Sequence, residues 1–540
     1  ARIERLPPEA RRLLRGASVF GETFWRGGVH ALMGNADPTH VGEWIRHLLD
    51  AEIIAARSSA SYPGEDEYIF RHALLREAAY RMLTEADRAL GHRLAGEWLE
   101  SIGATNAAAL AEHFERGLVP ERAIEWYARG AEDALAGNEY EAVQLRGERA
   151  LLCGASGETL GRIRMLQADA SRWSGRYERS IEQAREAMSH LAPATPNWFE
   201  AAGTLAIVCS LVGSRGELVA VTQELNAVAL TTESVDSAVV ALARATSSAA
   251  RLGMGELGNE TLRRMDDVAA GSHPGDPAVA ARLHYSRASV ADINRDVSRS
   301  IRENLAASEA YEAAGMLRNL AVHRRLVAEA WMQIGQNAIA ETELRRSIAD
   351  SERLGLRENM CFSQHLLAVV LARRGLKDEA VSLGRAAVAD SQDHGGRNES
   401  HARCSLAAIL LGAGELAAAH EESRRAVAVA PASAPMLAFV HATFASTALA
   451  MGMLDEARVA SRAAMEIYRA GVGPRECELF VRLVELRVLE RDRSPELSAR
   501  IEEAKRELLT RAEHFTDAAQ RESFLTNVQE NVAILAFGKP

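Results

Sequence analysis

Five glycines recur through the chain at nearly even steps, Gly175, Gly335, Gly375, Gly414 and Gly452, and each carries the same small neighbours. Seven residues before each stands an alanine: Ala168, Ala328, Ala368, Ala407 and Ala445. Five residues after it stands Ser180, Ala340, Ala380, Ala419 or Ala457, and twelve after it Ala187, Ser347, Ala387, Ala426 or Ala464. From Gly335 onward the steps are 40, 39 and 38 residues. A fixed period of roughly 20–50 residues is the mark of a repeat array, and it constrains the fold more than any other feature.

Each unit reads as helix, short turn, helix. The glycine takes the turn, where the backbone leaves the first helix through positive φ. The small residues fall where two helices cross closely, because a large side chain there holds the backbones apart. One hairpin cannot bury its own apolar stripe, so hairpins stack. A weaker copy is read at Ala288, Arg295, Ser300 and Ala307, with arginine in the glycine place. Two degenerate units are expected near Gly213 and near 253–255, and an earlier one at Gly130, Gly137 and Ala142. About nine units lie between Gly137 and Gly452, and one or two further pairs are expected at the ends. The expectation is an all-α protein, a right-handed superhelix of about ten helical hairpins, with a different domain before it.

The pattern resembles the tetratricopeptide repeat, most closely in Gly175-Arg176-Tyr177-Glu178 and Gly375-Leu376-Lys377-Asp378-Glu379-Ala380. That family usually repeats every 34 residues or so. The longer period here is similar to the variant found in bacterial signalling ATPases. The resemblance covers about residues 100–490.

Composition agrees with helices. Of 540 residues only 14 are proline and 5% are aromatic. The lysines are Lys377, Lys505 and Lys539, so the positive charge is almost all arginine. A net charge of −11 argues against a solenoid that holds nucleic acid. Five cysteines, an odd number without a CxxC pair, read as free thiols in a reducing cytoplasm. No run of 18 apolar residues is present, so no membrane partner is expected. Ala1 falls inside an apparent helix without methionine or signal sequence, which reads as the C-terminal part of something longer.

Residues 1–95 lie outside the repeat register. Leu6-Pro7-Pro8 opens a helix, and a second runs near 41–49. Short extended runs at 53–57 and 67–70 flank a polar turn with Pro63 and Gly64, and are expected to pair as a hairpin. Helices followed by a hairpin make a winged helix. Here the sequence is similar to the winged-helix domain of STAND signalling ATPases, above all in Phe70-Arg71-His72-Ala73-Leu74-Leu75-Arg76-Glu77-Ala78-Ala79-Tyr80. Leu110-Ala111-Glu112-His113-Phe114 and Arg122-Ala123-Ile124-Glu125-Trp126-Tyr127 resemble the junction into the repeats of such proteins, and Arg521-Glu522-Ser523-Phe524-Leu525 with Val528 and Glu530-Asn531 resembles their usual end. The expected division is therefore a winged-helix domain over 1–95, repeats over 96–490, and capping helices with a tail over 491–540.

The resemblance implies a partner nucleotide-binding domain upstream, with ATP or ADP and magnesium, in some members behind a Ser/Thr kinase or cyclase domain, and oligomers of the whole protein. It also implies a role for His72: a histidine at that place contacts the β-phosphate of bound ADP and holds the off state. The other reading of His72 is a helix N-terminal residue that packs. The chain has no GxxxxGK[ST] loop, and Gly538-Lys539 is not one, so no enzyme and no cofactor of its own is expected in it.

Other residue patterns point to structure. Arg71 and Arg76 read as surface ion-pair residues. The first hundred residues hold 13 arginines and 15 acids, not the basic footprint of a DNA reader. His113, His190, His401 and His420 lack zinc spacing, and Glu65-Asp66-Glu67 reads as a solvated loop tip. Trp173, Trp198 and Trp331 read as interhelical packing, or as an anchor if one faces the groove. The doublets Arg324-Arg325, Arg345-Arg346, Arg373-Arg374 and Arg424-Arg425 read as a solvated face paired with carboxylates, or as a row for an acidic partner. Three functions remain from the sequence: a sensor that binds a protein or small inducer and relays it through the winged helix, a scaffold without nucleotide coupling, or a sensor for a small metabolite in the superhelix.

Overall fold

In a computed structural model the described residues are 3–34, 37–270, 276–294, 296–392, 396–431, 436–470 and 477–538. The chain divides into two compact units, Ala1–Ala170 and Ser171–Pro540. The division falls within the helix Gly157–Trp173, well beyond the expected end of the first domain at 95.

The first unit opens with the helix Pro8–Phe20, whose proline occupies the first turn, where an N–H has no helical partner anyway. Strand β1 (Thr23–Trp25), helix Arg26–Leu32 and helix Pro38–Asp50 follow, and then strands β2 (Ile54–Ala56) and β3 (Glu67–Phe70). The sheet order is β1-β3-β2, antiparallel throughout. The expected hairpin is present, with Ile54 opposite Phe70 and Ala56 opposite Tyr68. The third strand was not expected, because three residues beside Gly21 and Gly27 carry no readable alternation. Leu13, Leu14, Phe24, Val41, Leu48 and Ile54 are fully buried beneath this sheet and its helices.

The acidic tip departs from expectation. Glu67 is buried, and burial alone would raise its pKa. Hydrogen bonds from the Ser61 amide, the Arg57 guanidinium and the Trp25 indole instead hold it down at about 2. Glu65 accepts the Gly27 amide at 2.8 Å, at the start of the helix Arg26–Leu32. Glu65 and Glu67 therefore tie the hairpin to its neighbours, while Asp66 alone stays exposed as expected.

In the first unit Pro120–Ala136 and Tyr140–Leu152 form a hairpin, and among the described residues of the second unit seven successive hairpins run from Pro196–Val212 with Arg215–Ala227 to Leu437–Ala450 with Leu454–Arg469. The helices Glu478–Arg491 and Leu497–Glu513 follow, and then Ala518–Thr526 and Gln529–Ala536. All five repeat glycines have positive φ, between 73° and 87°. All fifteen small residues of the pattern are buried, none more than 1% exposed. Where the small residue is Ser347, its hydroxyl donates to the Ala321 carbonyl at 2.7 Å, which satisfies a polar group at a tight crossing.

The degenerate units follow the same plan. Gly213 (φ 78°) ends the helix Pro196–Val212, and Gly253 (φ 68°), not Gly255, takes the next turn. Ala288, Ser300 and Ala307 are buried in the hairpin Pro277–Ile293 and Val297–Ala313; Arg295 lies outside the described residues. At the earliest unit Gly137 keeps φ −79° and the left-handed residue is its neighbour Asn138 (φ 64°).

Ala368 tests the packing rule. An added Cβ on Gly384 would lie 3.8 Å from the Ala368 Cβ and 3.1 Å from Leu406, so helix surfaces meet closely there. Ala368→Leu is expected to cost about 1–3 kcal/mol by overpacking, whereas Ala418→Leu, on an exposed position, stays within about 0.5 kcal/mol. Urea unfolding of both variants checks the difference; equal midpoints would refute the close crossing.

Candidate binding cavity

Within the unit Ser171–Pro540, the first helices of successive hairpins turn side chains inward around a cavity of about 170 Å³. Helix Pro196–Val212 gives Ile207 and Leu211, Val235–Arg251 gives Arg244 and Arg251, and Pro277–Ile293 gives Arg282 and Tyr285. Leu317–Gln333 adds His323 and Arg325, Arg357–Arg373 adds Glu358 and Phe362, and Gly396–Ala413 adds Arg397. Arg172, Trp173 and Tyr177 come from the turn around Gly175. The Tyr177 hydroxyl donates to Glu358, 181 residues away, so the lining meets across several hairpins.

The lining is cationic. It contains six arginines, Arg172, Arg244, Arg251, Arg282, Arg325 and Arg397, and one carboxylate, Glu358. Arg244 is paired with Glu200 at 2.7 Å, and Arg325 with Glu329 while donating to Asn359 at 3.0 Å. Arg397 lies 3.9 Å from Glu358. Arg251 donates to the Tyr285 hydroxyl at 2.9 Å, and Arg282 lies 5.3 Å from the Tyr311 ring centre. Neither Arg251 nor Arg282 has a carboxylate within ion-pair distance among the described residues.

Burial lowers the pKa of Arg282, and Arg244 and Arg172 push it further down against Tyr311 and Glu200. Burial also lowers Arg397, with Arg251 and Arg325 working against Glu358 and Tyr177. A guanidinium stays protonated regardless, so these shifts describe positive charge crowded in a poorly hydrated space. Burial presses His323 down to about 4, with Arg282 and Arg325 adding to the fall although the Asn304 carbonyl accepts from it at 2.9 Å. That bond places the proton on Nε2 and leaves Nδ1 as an acceptor.

Aromatic rings form the rest of the wall. Phe362 has Arg325 and Arg397 each 5.2 Å from its centre, and Trp173 has Arg172 at 4.1 Å and Arg318 at 5.4 Å. Trp173 is thus the tryptophan that faces inward; Trp198 and Trp331 pack between helices.

The residues singled out in sequence fall elsewhere. His72 belongs to the first unit, exposed at the N-cap of the helix Ala73–Arg81, and its side chain makes no capping bond. Arg71 stands 3.9 Å from Glu52, but Arg76 forms no ion pair among the described residues, contrary to expectation. His113 shares a hydrogen bond with His92 at 3.1 Å. The arginine doublets are largely neutralised, Arg345 by Glu341 and Glu379, Arg373 by Glu530, and Arg424 and Arg425 by Glu421. Only Arg325 among them reaches the cavity. A usable signal for the others is a charge amid small buried residues, as in Ala243-Arg244-Ala245.

No family model matches the chain, and no curated protein matches it. Solved structures do. A Rap protein complexed with competence and sporulation factor aligns at 13% identity and TM-score 0.45, over 63% of this chain and 98% of that one. NprR in complex with its cognate peptide NprX aligns at 12% identity and TM-score 0.44, over 62% and 95%. A signal transduction ATPase with numerous domains (STAND), carrying a tetratricopeptide repeat sensor and coming from Pyrococcus horikoshii, aligns at 13% identity and TM-score 0.42, over 86% of this chain and 64% of that one.

Proposed function

We propose that this chain is the sensor region of a signalling protein, in which the stacked hairpins bind an inducer and residues 1–95 relay the event to a nucleotide-binding domain upstream. The observation that carries the sensor reading is the aromatic and charged cavity built by side chains from up to 225 residues apart, Arg172 to Arg397. Concave sites with apolar walls and a few convergent polar groups are where ligands bind. A ligand there touches many hairpins at once, so its binding couples to the arrangement of the whole stack.

The relay rests on the order helix, strand, two helices, hairpin in the first unit and on the exposed His72. A hydrogen bond from His72 to a phosphate would contribute about 1.5–3 kcal/mol, inside the usual range of about 1–3 kcal/mol for coupling between sites. In the intact parent protein, His72→Ala is expected to speed ADP release at least tenfold without changing the melting of the repeats. Unchanged ADP release would leave a scaffold without nucleotide coupling.

A further inference from the structure

We propose that the cavity takes a compact organic oxyanion, a carboxylate or phosphate carried on a flat ring-sized group, with Arg251 and Arg282 receiving the charge. The inference deepens the sensor reading and rests on it. Its basis is the imbalance of the lining: six guanidiniums face one carboxylate, in a chain whose overall charge is −11.

Arg244, Arg325 and Arg397 have carboxylates of their own, in Glu200, Glu329 and Glu358. Arg251 and Arg282 have a tyrosine hydroxyl and a tyrosine ring instead. Both side chains are half-buried, and a partly desolvated cation without a counter-ion favours an anion that fits. The neighbouring imidazoles do not supply the charge, since His323 is held neutral and offers a lone pair. A cationic ligand meets the same six arginines and is repelled.

Size narrows the class. A cavity of about 150 Å³ admits benzene, and this one encloses about 170 Å³. A ring with one acidic substituent has room in it; a folded partner does not enter. Trp173, Tyr285, Tyr311 and Phe362 provide ring faces and edges for such a group. Arginine pairs bidentately with both carboxylate and phosphate, so both belong to the same chemistry.

The test uses the full 540-residue chain, with thermal unfolding and tryptophan fluorescence as readouts. Phenyl phosphate and benzoate are expected to raise the melting temperature and alter the fluorescence, less so in high salt, while benzyl alcohol and benzamide do neither. Arg251→Gln and Arg282→Gln are each expected to weaken binding at least tenfold. If Arg282→Gln fails to fold, Arg251→Gln, which loses one hydrogen bond to a hydroxyl, carries the test. The tripeptide Gly-Gly-Phe with a free or amidated C-terminus separates a peptide end from a free metabolite as the source of the carboxylate.

Equal binding of neutral and anionic rings overturns the proposal but keeps the cavity as a ligand site. So does undiminished anion binding by both glutamine variants. Binding of inorganic phosphate without either ring-bearing anion means an adventitious ion only, and also overturns it. A cavity that binds no probe of either charge overturns the sensor reading as well.

Discussion

Gly335→Ala is expected to destabilise the unit Ser171–Pro540 by about 3 kcal/mol or more, while Gly375→Ala, at the same repeat position, costs about 1 kcal/mol. Both glycines have positive φ, 74° and 84°, so both alanines bear the left-handed penalty. Around Gly375 an added Cβ meets nothing within 4 Å. At Gly335 it would lie 2.6 Å from the Asn527 Cβ and 2.8 Å from the Asn527 carbonyl carbon. Backbone cannot swing aside as a side chain tip does, so the segment bearing Asn527 must move.

That segment is fastened at several points. The Ser523 hydroxyl donates to the Ile334 carbonyl at 2.6 Å and accepts from Gln336 at 3.0 Å. Ser298 donates to Gln520 at 3.0 Å, and Arg373 to Glu530 at 3.3 Å. Phe515, Phe524 and Ile534 share a buried cluster with Ile301, Ala330 and Ile334. Lifting the segment exposes much of this cluster, at roughly 25 cal/mol for each Å² of apolar surface returned to water. The measurement is urea unfolding of both variants, with limited proteolysis. Gly335→Ala should release the residues from 515 onward early; equal midpoints for the two variants would sink the account.

The repeat was legible because two severe local rules produce it. Positive φ narrows a turn to glycine, and a close crossing narrows a helix face to alanine or serine. These rules act within one hairpin, so Gly335, Ala340 and Ser347 announce themselves in sequence. The cavity obeys no such rule. Tyr177 and Glu358 meet only because hairpins stack, and no local pattern encodes a contact across 181 residues. An inward arginine such as Arg282 also looks like an outward one such as Arg345, since helix periodicity marks apolar faces and both are charged. Glu67 was missed for a related reason: a carboxylate beside a turn reads as solvated until the indole of Trp25, 42 residues earlier, arrives over it. The C-terminal residues 521–531 carried a family likeness in sequence, but their physical task, clasping the turn at Gly335, is visible only in three dimensions.

Stability is expected to fall steeply between pH 7 and pH 5, above the range in which an ordinary carboxylate titrates. Burial holds His365 down at about 3 and His323 at about 4, and it also lowers His401 well below its ordinary value, with His365 and Arg397 beside it. Their unfolded value is 6.5, so below it the unfolded chain binds protons that the folded chain refuses, and stability drops as pH falls. In the first unit His92 and His113 are lowered by burial too, and one proton shared along their 3.1 Å contact suits two neutral rings but not two cations. Each such histidine loses about 2 kcal/mol of stabilisation from pH 7 to pH 5. Asp292 opposes this, because burial raises it to about 7, and its contribution grows as pH falls toward the unfolded value of 3.8. Burial also lowers His441 and raises Glu485, so four histidines stand against two carboxyls and leave the unit Ser171–Pro540 weaker at pH 5, by roughly 3 kcal/mol. Glu67 and Glu421, each held at about 2, add losses only below the unfolded value of 4.5. His365→Phe isolates one term. The His365 Nε2 is buried without a partner, so the phenyl ring removes an unmet polar atom along with the titration. Any packing cost of the larger ring is the same at both pH values and cancels in the difference. Relative to the parent chain, the variant should therefore gain about 2 kcal/mol on going from pH 7 to pH 5. Urea midpoints that shift in parallel for both proteins would show that His365 takes up its proton in the folded state.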